Sequence, residues 1–461
     1  MLKSTIFREY DIRGIADTEL PDSHIELLGQ AFGTYLQRHG GKKISLGRDT
    51  RLSSPRLRDA LLRGLVASGC EVSDIGVVPT PVLYYSVIHL RTDGGVMITG
   101  SHNPAEFNGF KVVCGSSTIH GAAIQELKRL IDTKDLAQGP GTVQSTDVTA
   151  AYVNDIASQF RFPRRIKVVF DAGNGTGGPV MHRILESLNV DGVELFFEMD
   201  GRFPNHHPDP TVPANLQALI AKVLETKADL GIAFDGDTDR IGAVDEQGNV
   251  IYGDQLMILY AREILSRKPG ATFIGEVKCS QLMYDDLAAR GGNPIMWKTG
   301  HSLIKAKMKE AHAELAGEMS GHMFFADRYH GFDDALYAAC RLMEIVAAST
   351  QPLSRHLADL PRTVTTPEIR FDCPDELKFA VVETSAAELR SRYEIVSVDG
   401  VRVLFPDGWG LVRASNTQPV LVMRFEAKTQ EQLNQYRKEM EDVVAGAVAS
   451  AQKKAGSAEP A

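Results

Sequence analysis

Leu230-Gly231-Ile232-Ala233-Phe234-Asp235-Gly236-Asp237-Thr238-Asp239-Arg240 is an apolar run that passes without a break into a polar turn. A short continuous apolar run bounded by turn residues reads as a strand buried on both faces, as in the parallel sheets of α/β proteins. A helix is expected before it, over Ala214 to Thr226, and Gln247-Gly248-Asn249 marks a turn after it. The same junction occurs twice more. Gly95-Val96-Met97-Ile98 leads into Thr99-Gly100-Ser101-His102-Asn103-Pro104, and Glu314-Leu315-Ala316 leads into Gly317-Glu318-Met319-Ser320-Gly321-His322.

Around each junction, helical and strand signals alternate. In the first region, Ile25, Leu28, Phe32, Tyr35 and Leu36 share one helical face. Lys43 to Leu46 reads as a strand, and Leu57, Leu61, Leu62 and Leu65 form a second helical stripe behind Pro55. The second region has a helix at Ala150 to Phe160, a strand at Ile166 to Phe170, a helix from about Pro179 and a strand at Val193 to Phe197. The third has a helix at Gln255 to Ser266 and a strand at Thr272 to Val277. Such alternation predicts βαβ units, with ligands beyond the carboxyl ends of the strands. From about Arg362 the pattern changes: strands at Glu368 to Phe371, Val401 to Phe405 and Val420 to Phe425 precede a helix over Thr429 to Ala449. The expected fold is therefore α/β. Three related α/β domains with mixed, mainly parallel sheets (1–147, 148–251 and 252–361) precede a C-terminal α+β domain (362–461).

With 461 residues, 43% hydrophobic and 24% charged, the chain has ample material for several cores. The net charge is −9 and no basic stripe is present, which argues against nucleic acid. An anionic ligand is still compatible, because a cleft can focus positive potential against the overall sign. Five cysteines, scattered and odd in number, fit reduced thiols. The N-terminus lacks the apolar core of a signal peptide, and no apolar run is long enough to span a bilayer. A soluble cytoplasmic protein without membrane or nucleic-acid partners is expected.

The Asp235 turn carries the strongest chemical signal. Asp235, Asp237 and Asp239 alternate, so one loop can turn three carboxylates toward a hard cation. A calcium EF-hand would use Glu246 as its twelfth position, but Arg240 stands where the sharp turn needs glycine, and the flanks are strands. Carboxylates with an open face toward phosphate suit Mg²⁺ instead. Gly173-Asn174-Gly175-Thr176-Gly177-Gly178 satisfies the dinucleotide fingerprint, with Glu194 and Glu198 about twenty residues on. It supports a nucleotide-binding dehydrogenase as the rival class, although no hydride-transfer constellation accompanies it. Ser101, with Asn108 and Lys111 following, reads as a polar turn or a nucleophile, since a serine hydroxyl needs a base or metal to act. Glu318, Ser320 and His322 combine groups suited to adjacent sugar hydroxyls. Arg413-Ala414-Ser415-Asn416-Thr417 offers a guanidinium, two hydroxyls and an amide to a phosphate.

Taken in order, the four loops resemble those of the α-D-phosphohexomutase superfamily, specifically its bacterial phosphomannomutase/phosphoglucomutase group. The likeness covers nearly the whole chain. It implies four domains around a central cleft, a phosphoserine at Ser101, metal ligation by Ser101, Asp235, Asp237 and Asp239, and catalytic roles for Ser101, Lys111, Arg240 and His322. It also implies substrate contacts from Tyr10, Arg13, Lys278, Thr299, Gly300, His301, Glu318, Ser320, Arg413, Ser415, Asn416 and Thr417. The implied reaction interconverts hexose 1-phosphate and hexose 6-phosphate, of mannose or glucose, through a hexose 1,6-bisphosphate with Mg²⁺ as cofactor. Met319 favours a hexose mutase over a phosphoglucosamine mutase, which usually has Gln there, while Tyr329-His330-Gly331 departs from the expected pattern. Phosphosugars are the expected partners, and a monomer the expected state.

Overall fold

The computed structural model describes residues 3–415 and 419–456. Four sheets follow one another along the chain. The first is seven-stranded. Its spatial order is Ile12–Ile15, Phe107–Cys114, Gly94–Ile98, Lys43–Arg48, Glu71–Val77 and Thr142–Ser145, with Ser117–Thr118 beside Phe107–Cys114. The second runs Val250–Ile251, Ile241–Asp245, Leu230–Phe234, Ile166–Asp171 and Val190–Leu195. The third runs Asn293–Trp297, Thr272–Glu276, Leu315–Gly317 and Met323–Phe325.

These three sheets are mixed in one consistent way. Parallel strands make the centre, and the strand that follows the functional loop turns back antiparallel. Gly94–Ile98 pairs antiparallel with Phe107–Cys114, Leu230–Phe234 with Ile241–Asp245, and Leu315–Gly317 with Met323–Phe325. Each loop is thus the tip of a hairpin at the carboxyl end of a central strand. The fourth sheet is antiparallel throughout, and its loop at Ser415 joins Gly408–Ala414 to the neighbouring Val420–Ala427.

Several expectations are corrected in detail. The strand expected at Val193 to Phe197 lies at Val190–Leu195, because Phe196 takes a left-handed φ of 55° that ends it. The expected helix at Ala214 opens with a 3₁₀ turn at Pro213–Leu216, and the α-helix is Gln217–Thr226. Arg413 and Ala414 belong to the strand Gly408–Ala414 rather than to a loop. That strand was not foreseen, because Gly408 and Gly410 break its apolar run. The last helix runs to Gly456, past the expected end at Ala449.

One continuous core passes through the first three units. It joins Val82, Leu83 and Tyr85 of helix Thr80–His89 to Tyr152 and Ile156 of helix Thr149–Gln159, and on to Leu256, Tyr260, Tyr337 and Leu342 of the third. The fourth sheet has its own core around Val403, Met423, Phe425 and Met440. It meets the third unit through Trp409, Leu411 and Val277. The buried Arg402 lies over the Trp409 ring at 3.8 Å and donates to the carbonyls of Val277 and Cys279, both at 2.7 Å. All five cysteines are free. No helix among the described residues is long and apolar enough to cross a membrane.

Candidate active site

Ser101 follows strand Gly94–Ile98 in a left-handed conformation (φ 49°), uncommon for a residue with a side chain. Its N–H donates to Thr99 Oγ1 at 2.8 Å, and its hydroxyl donates to Asp235 Oδ2 at 2.8 Å. Oγ is also 3.1 Å from His102 Nδ1. Desolvation, then the Arg240 and Arg13 charges, holds His102 well below its usual pKa, so its ring is neutral.

Asp235, Asp237 and Asp239 are all fully buried, and one carboxylate oxygen from each lies within 4.8 Å of the others. Two helix starts brace their loop: Thr80 N donates to Asp237 O at 2.8 Å, and Ala335 N donates to Thr238 O at 3.3 Å. Both put the positive end of a helix beside the acids. Thr80 Oγ1 also donates to Asp237 Oδ2 at 2.5 Å. Lys111 Nζ bridges Asp237 Oδ2, at 2.6 Å, and Asp239 Oδ2. Burial opposes its charge, but these two carboxylates raise the ammonium well above its usual pKa. For Asp235, burial and then the charges of Asp237 and Asp239 push the pKa well up.

These acids fit a divalent cation. Asp237 Oδ1 is buried without a hydrogen-bond partner, an expensive arrangement unless a positive charge faces it. All the donors are hard oxygens, as Mg²⁺ requires.

The loop of residues 317–322 joins this cluster directly. Arg240 and His322 form an antiparallel bridge, and Ile241 N donates to Gly321 O at 3.0 Å. His322 Nε2 is 3.3 Å from Asp239 Oδ1, and Nδ1 is 2.8 Å from Glu318 Oε2. Ser320 Oγ lies 3.1 Å from the same Nδ1. Burial disfavours charge on His322, but Asp239 and then Glu318 raise it to about 9. Arg240 Nε lies 3.3 Å from the same Nε2. His301 stacks on His322 with centroids 5.7 Å apart, and its Nδ1 is 3.4 Å from Asp333.

Glu318 reaches onward: its Oε1 accepts from Gly300 N at 2.8 Å. Tyr10 OH donates to Thr299 O at 2.8 Å, and Arg13 pairs with Asp11 at 2.5 Å on the first strand. Thr299 N donates to Asp399 Oδ2 at 3.1 Å, and Arg413 Nε donates to that same oxygen at 2.9 Å. Lys278 stands between Glu276, at 3.7 Å, and Glu368, at 3.4 Å. Ser415 is buried at the end of its strand, and Lys378 Nζ donates to its carbonyl at 2.5 Å. Asn416 and Thr417 lie outside the described residues.

Four residues missed by sequence reading belong to this network. Glu276 ends strand Thr272–Glu276 and accepts from Thr299 Oγ1 at 2.7 Å and Met319 N at 3.2 Å. Asp49 and Arg51 follow strand Lys43–Arg48 and lie beneath the Ser101 loop. Asp399 links two units. The strand-end rule that pointed to Ser101 and Asp235 also points to Asp49 and Glu276. Asp399 carries no such signal.

The two rival motifs serve structural ends. Glu246 accepts from Ser354 N at 3.1 Å and from Ser354 Oγ, so it is engaged elsewhere. The glycine loop packs on the metal loop: a Cβ on Gly175 would lie 2.6 Å from Gly236 O. Thr176 N donates to that carbonyl at 3.1 Å. A backbone carbonyl therefore fills the place where a pyrophosphate would meet the helix N-terminus.

Family models of phosphoglucomutase/phosphomannomutase match in order: alpha/beta/alpha domain I at residues 4–138, domain II at 150–248, domain III at 252–364 and the C-terminal domain at 368–443. A phosphomannomutase/phosphoglucomutase of Pseudomonas aeruginosa is 47% identical over 437 residues, covering 95% of this chain and 94% of the relative. A phosphoglucomutase of Neisseria gonorrhoeae is 45% identical over 444 residues, covering 95% and 96%. The crystal structure of a phosphoglucomutase/phosphomannomutase family protein from Burkholderia thailandensis superposes with a TM-score of 0.91 at 43% identity, covering 97% of this chain and 98% of that one. With family models matching all four of its units in sequence order, the chain belongs to the phosphoglucomutase/phosphomannomutase family.

Proposed function

We propose that the protein interconverts hexose 1-phosphates and hexose 6-phosphates, of glucose, mannose or both, through a phosphoserine at residue 101 and a hexose 1,6-bisphosphate. One observation carries this reading. An unbroken polar path leads from Ser101 through Asp235 and Asp239 to His322, Glu318 and Gly300, and from the adjacent Thr299 through Asp399 to Arg413. A phosphate carrier, an acid cluster, a sugar-loop pair and a remote guanidinium thus line one site in the order a bisphosphate would span.

In the first step a sugar hydroxyl oxygen bonds to the phosphorus on Ser101 as the Oγ–P bond breaks. Ser101 Oγ is the leaving group and takes a proton from a general acid, for which His322 and Lys111, whose charged forms the site favours, are the candidates, and the sugar hydroxyl's proton then restores that acid. The bisphosphate then turns, its other phosphoryl returns to Ser101 Oγ, and the sugar oxygen regains a proton. Asp235, Asp237, Asp239 and the Ser101 phosphate would hold Mg²⁺, which would supply charge neutralisation for the transferring group. Lys111 and Arg240 add fixed positive charge at the same place.

Glu318 and Ser320 grip ring hydroxyls. Arg413 and Ser415, with Asn416 and Thr417, hold the phosphate distant from Ser101. Tyr10, Arg13, Lys278, Thr299, Gly300 and His301 line the remaining walls. Divisions near residues 147, 251 and 361, a monomeric state and a cytoplasmic setting complete this reading, supported by the family likeness and the free thiols.

Intact-protein mass spectrometry with phosphosite mapping, after priming with glucose 1,6-bisphosphate, tests it. A phosphate on Ser101 and loss of mutase activity in Ser101→Ala are expected. An unmodified Ser101 together with a fully active Ser101→Ala variant overturns it.

A further inference from the structure

Arg51 is among the most deeply buried side chains of the molecule, and it sits beneath the Ser101 loop. Its guanidinium has five N–H groups, and each has an acceptor. Nη2 donates to Ser101 O at 2.7 Å and Asn103 O at 2.6 Å. Nη1 donates to Pro104 O at 2.6 Å and Phe107 O at 3.0 Å. Nε donates to Asp49 Oδ2 at 3.2 Å. The same Asp49 oxygen accepts from Gly100 N at 3.1 Å, while Oδ1 accepts from Arg51 N at 3.0 Å and Ser54 Oγ at 2.5 Å. One planar fork therefore gathers three carbonyls of the Ser101 loop and that of Phe107, which opens the next strand.

This grip is built into the neighbouring sequence. A Cβ on Gly100 would lie 2.4 Å from Arg51 Nε, so only glycine lets the loop settle onto the guanidinium. On the second unit's side, the Phe203 ring lies 5.2 Å from the guanidinium carbon. Arg51 donates to the Ser101 carbonyl, and Gly236 of the Asp235 loop packs so close to that oxygen that a Cβ there would stand 2.7 Å away. Ser101 itself is left-handed, a state that persists in a non-glycine residue only where its surroundings over-determine it. Plain stabilisation of a turn needs neither five buried donors nor contact with the reacting residue's own carbonyl.

We propose that Arg51, oriented by Asp49, is the positioning residue for phosphoryl transfer: it holds Ser101 left-handed, with Oγ directed at the Asp235 cluster. The inference rests on Ser101 being the phosphate carrier. Arg51 touches no substrate and acts through the loop. A misplacement of about 1 Å at a reacting group can cost roughly a hundredfold in rate. Lysine cannot replace it, because three donors on a flexible stem do not match a five-donor fork.

The test uses the full-length enzyme primed with glucose 1,6-bisphosphate, in Arg51→Lys, Gly100→Ala and the double variant. Single-turnover transfer to glucose 1-phosphate, steady-state kcat and KM, and thermal unfolding are measured together. Arg51→Lys is expected to slow transfer by about 30- to 100-fold with KM within about threefold of wild type. Gly100→Ala should act in the same direction, since its new methyl displaces the guanidinium. The double variant should lose less than the two single losses combined, because the guanidinium that the methyl would meet is gone while Phe107 O, 2.8 Å from the same Cβ, remains. Transfer within about threefold of wild type in Arg51→Lys, or fully additive losses, overturns the proposal. If Arg51→Lys does not fold, Gly100→Ala decides alone: a slowed transfer at unchanged KM supports the assignment, and a wild-type rate refutes it. Wild-type enzyme that takes no phosphate on Ser101 fails the underlying reading. Phosphorylated wild type with an equally fast Arg51→Lys fails only the inference.

Discussion

His322 Nδ1 stands 2.8 Å from Glu318 Oε2, both side chains nearly fully buried, and the other face of the ring meets Asp239. Burial would discharge both partners, yet Asp239 and Glu318 raise His322 to about 9, and His322 and Gly300 N help hold Glu318 at about 2. The sign of the pH dependence follows. His322, raised above its unfolded value near 6.5, contributes fully below pH 6.5, and its contribution is lost as pH climbs through about 9. Glu318, depressed below 4.5, contributes fully above pH 4.5, and its contribution is lost as pH falls toward 2.

The contribution of this pair to urea-unfolding stability in EDTA should therefore be flat between pH 4.5 and 6.5 and decline above it by up to about 1.4 kcal/mol per pH unit from this histidine. His322→Gln should lose that alkaline slope and Glu318→Gln part of the acid one. Identical slopes in wild type and both variants would contradict the pairing.

Lys111 bridges two buried carboxylates, so removing it leaves them uncompensated. Lys111→Met is expected to lower stability in EDTA by about 3–5 kcal/mol. Mg²⁺ should restore more of that loss than it adds to the wild type, since the cation then takes over the charge role. Activity should fall by at least about a hundredfold even with Mg²⁺ present. Calorimetry with and without the metal, beside a coupled mutase assay, measures both. Equal Mg²⁺ shifts in the two proteins would rule this out.

Arg413 Nε is oriented by Asp399, which also receives Thr299 N. A charged hydrogen bond to a substrate phosphate is worth about 1.5–3 kcal/mol. Arg413→Ala should raise KM for glucose 1-phosphate by about 10- to 100-fold while kcat falls less. Steady-state kinetics decide this, and an unchanged KM removes Arg413 from the phosphate site.

Gly175→Ala puts a methyl 2.6 Å from Gly236 O and must push on the metal loop. Overpacking of this kind costs about 1–3 kcal/mol. The Mg²⁺ concentration for half-maximal activity should rise several-fold. Equilibrium dialysis should find no NAD bound to wild type at this loop. Tight NAD binding there would revive the dinucleotide reading.

Much of the fold was legible because burial and chain direction write it into local pattern. The run Leu230–Phe234 reads as a buried central strand and is one. Gly408–Ala414 was missed because glycines interrupt its apolar run, even though nearly every residue in it is buried. Asp235, Asp237 and Asp239 were visible as acids crowded at a strand end. Arg51 was overlooked because a lone arginine after a strand looks like solvated surface, and only the folded loop shows five acceptors around it.

Ser101, the Asp235 loop, the sugar loop and their order are properties of the sequence itself, since each is a contiguous motif at the end of an apolar strand. What the tertiary structure decided is who meets whom: Lys111 with Asp237 and Asp239, Asp239 with His322, Asp399 with both Thr299 and Arg413, and Arg51 with the underside of the Ser101 loop. Such contacts join residues from 14 to 128 positions apart. They exist only once the strands have paired and three units have merged their cores, because buried charges hold together only where opposite charge or donors converge on them.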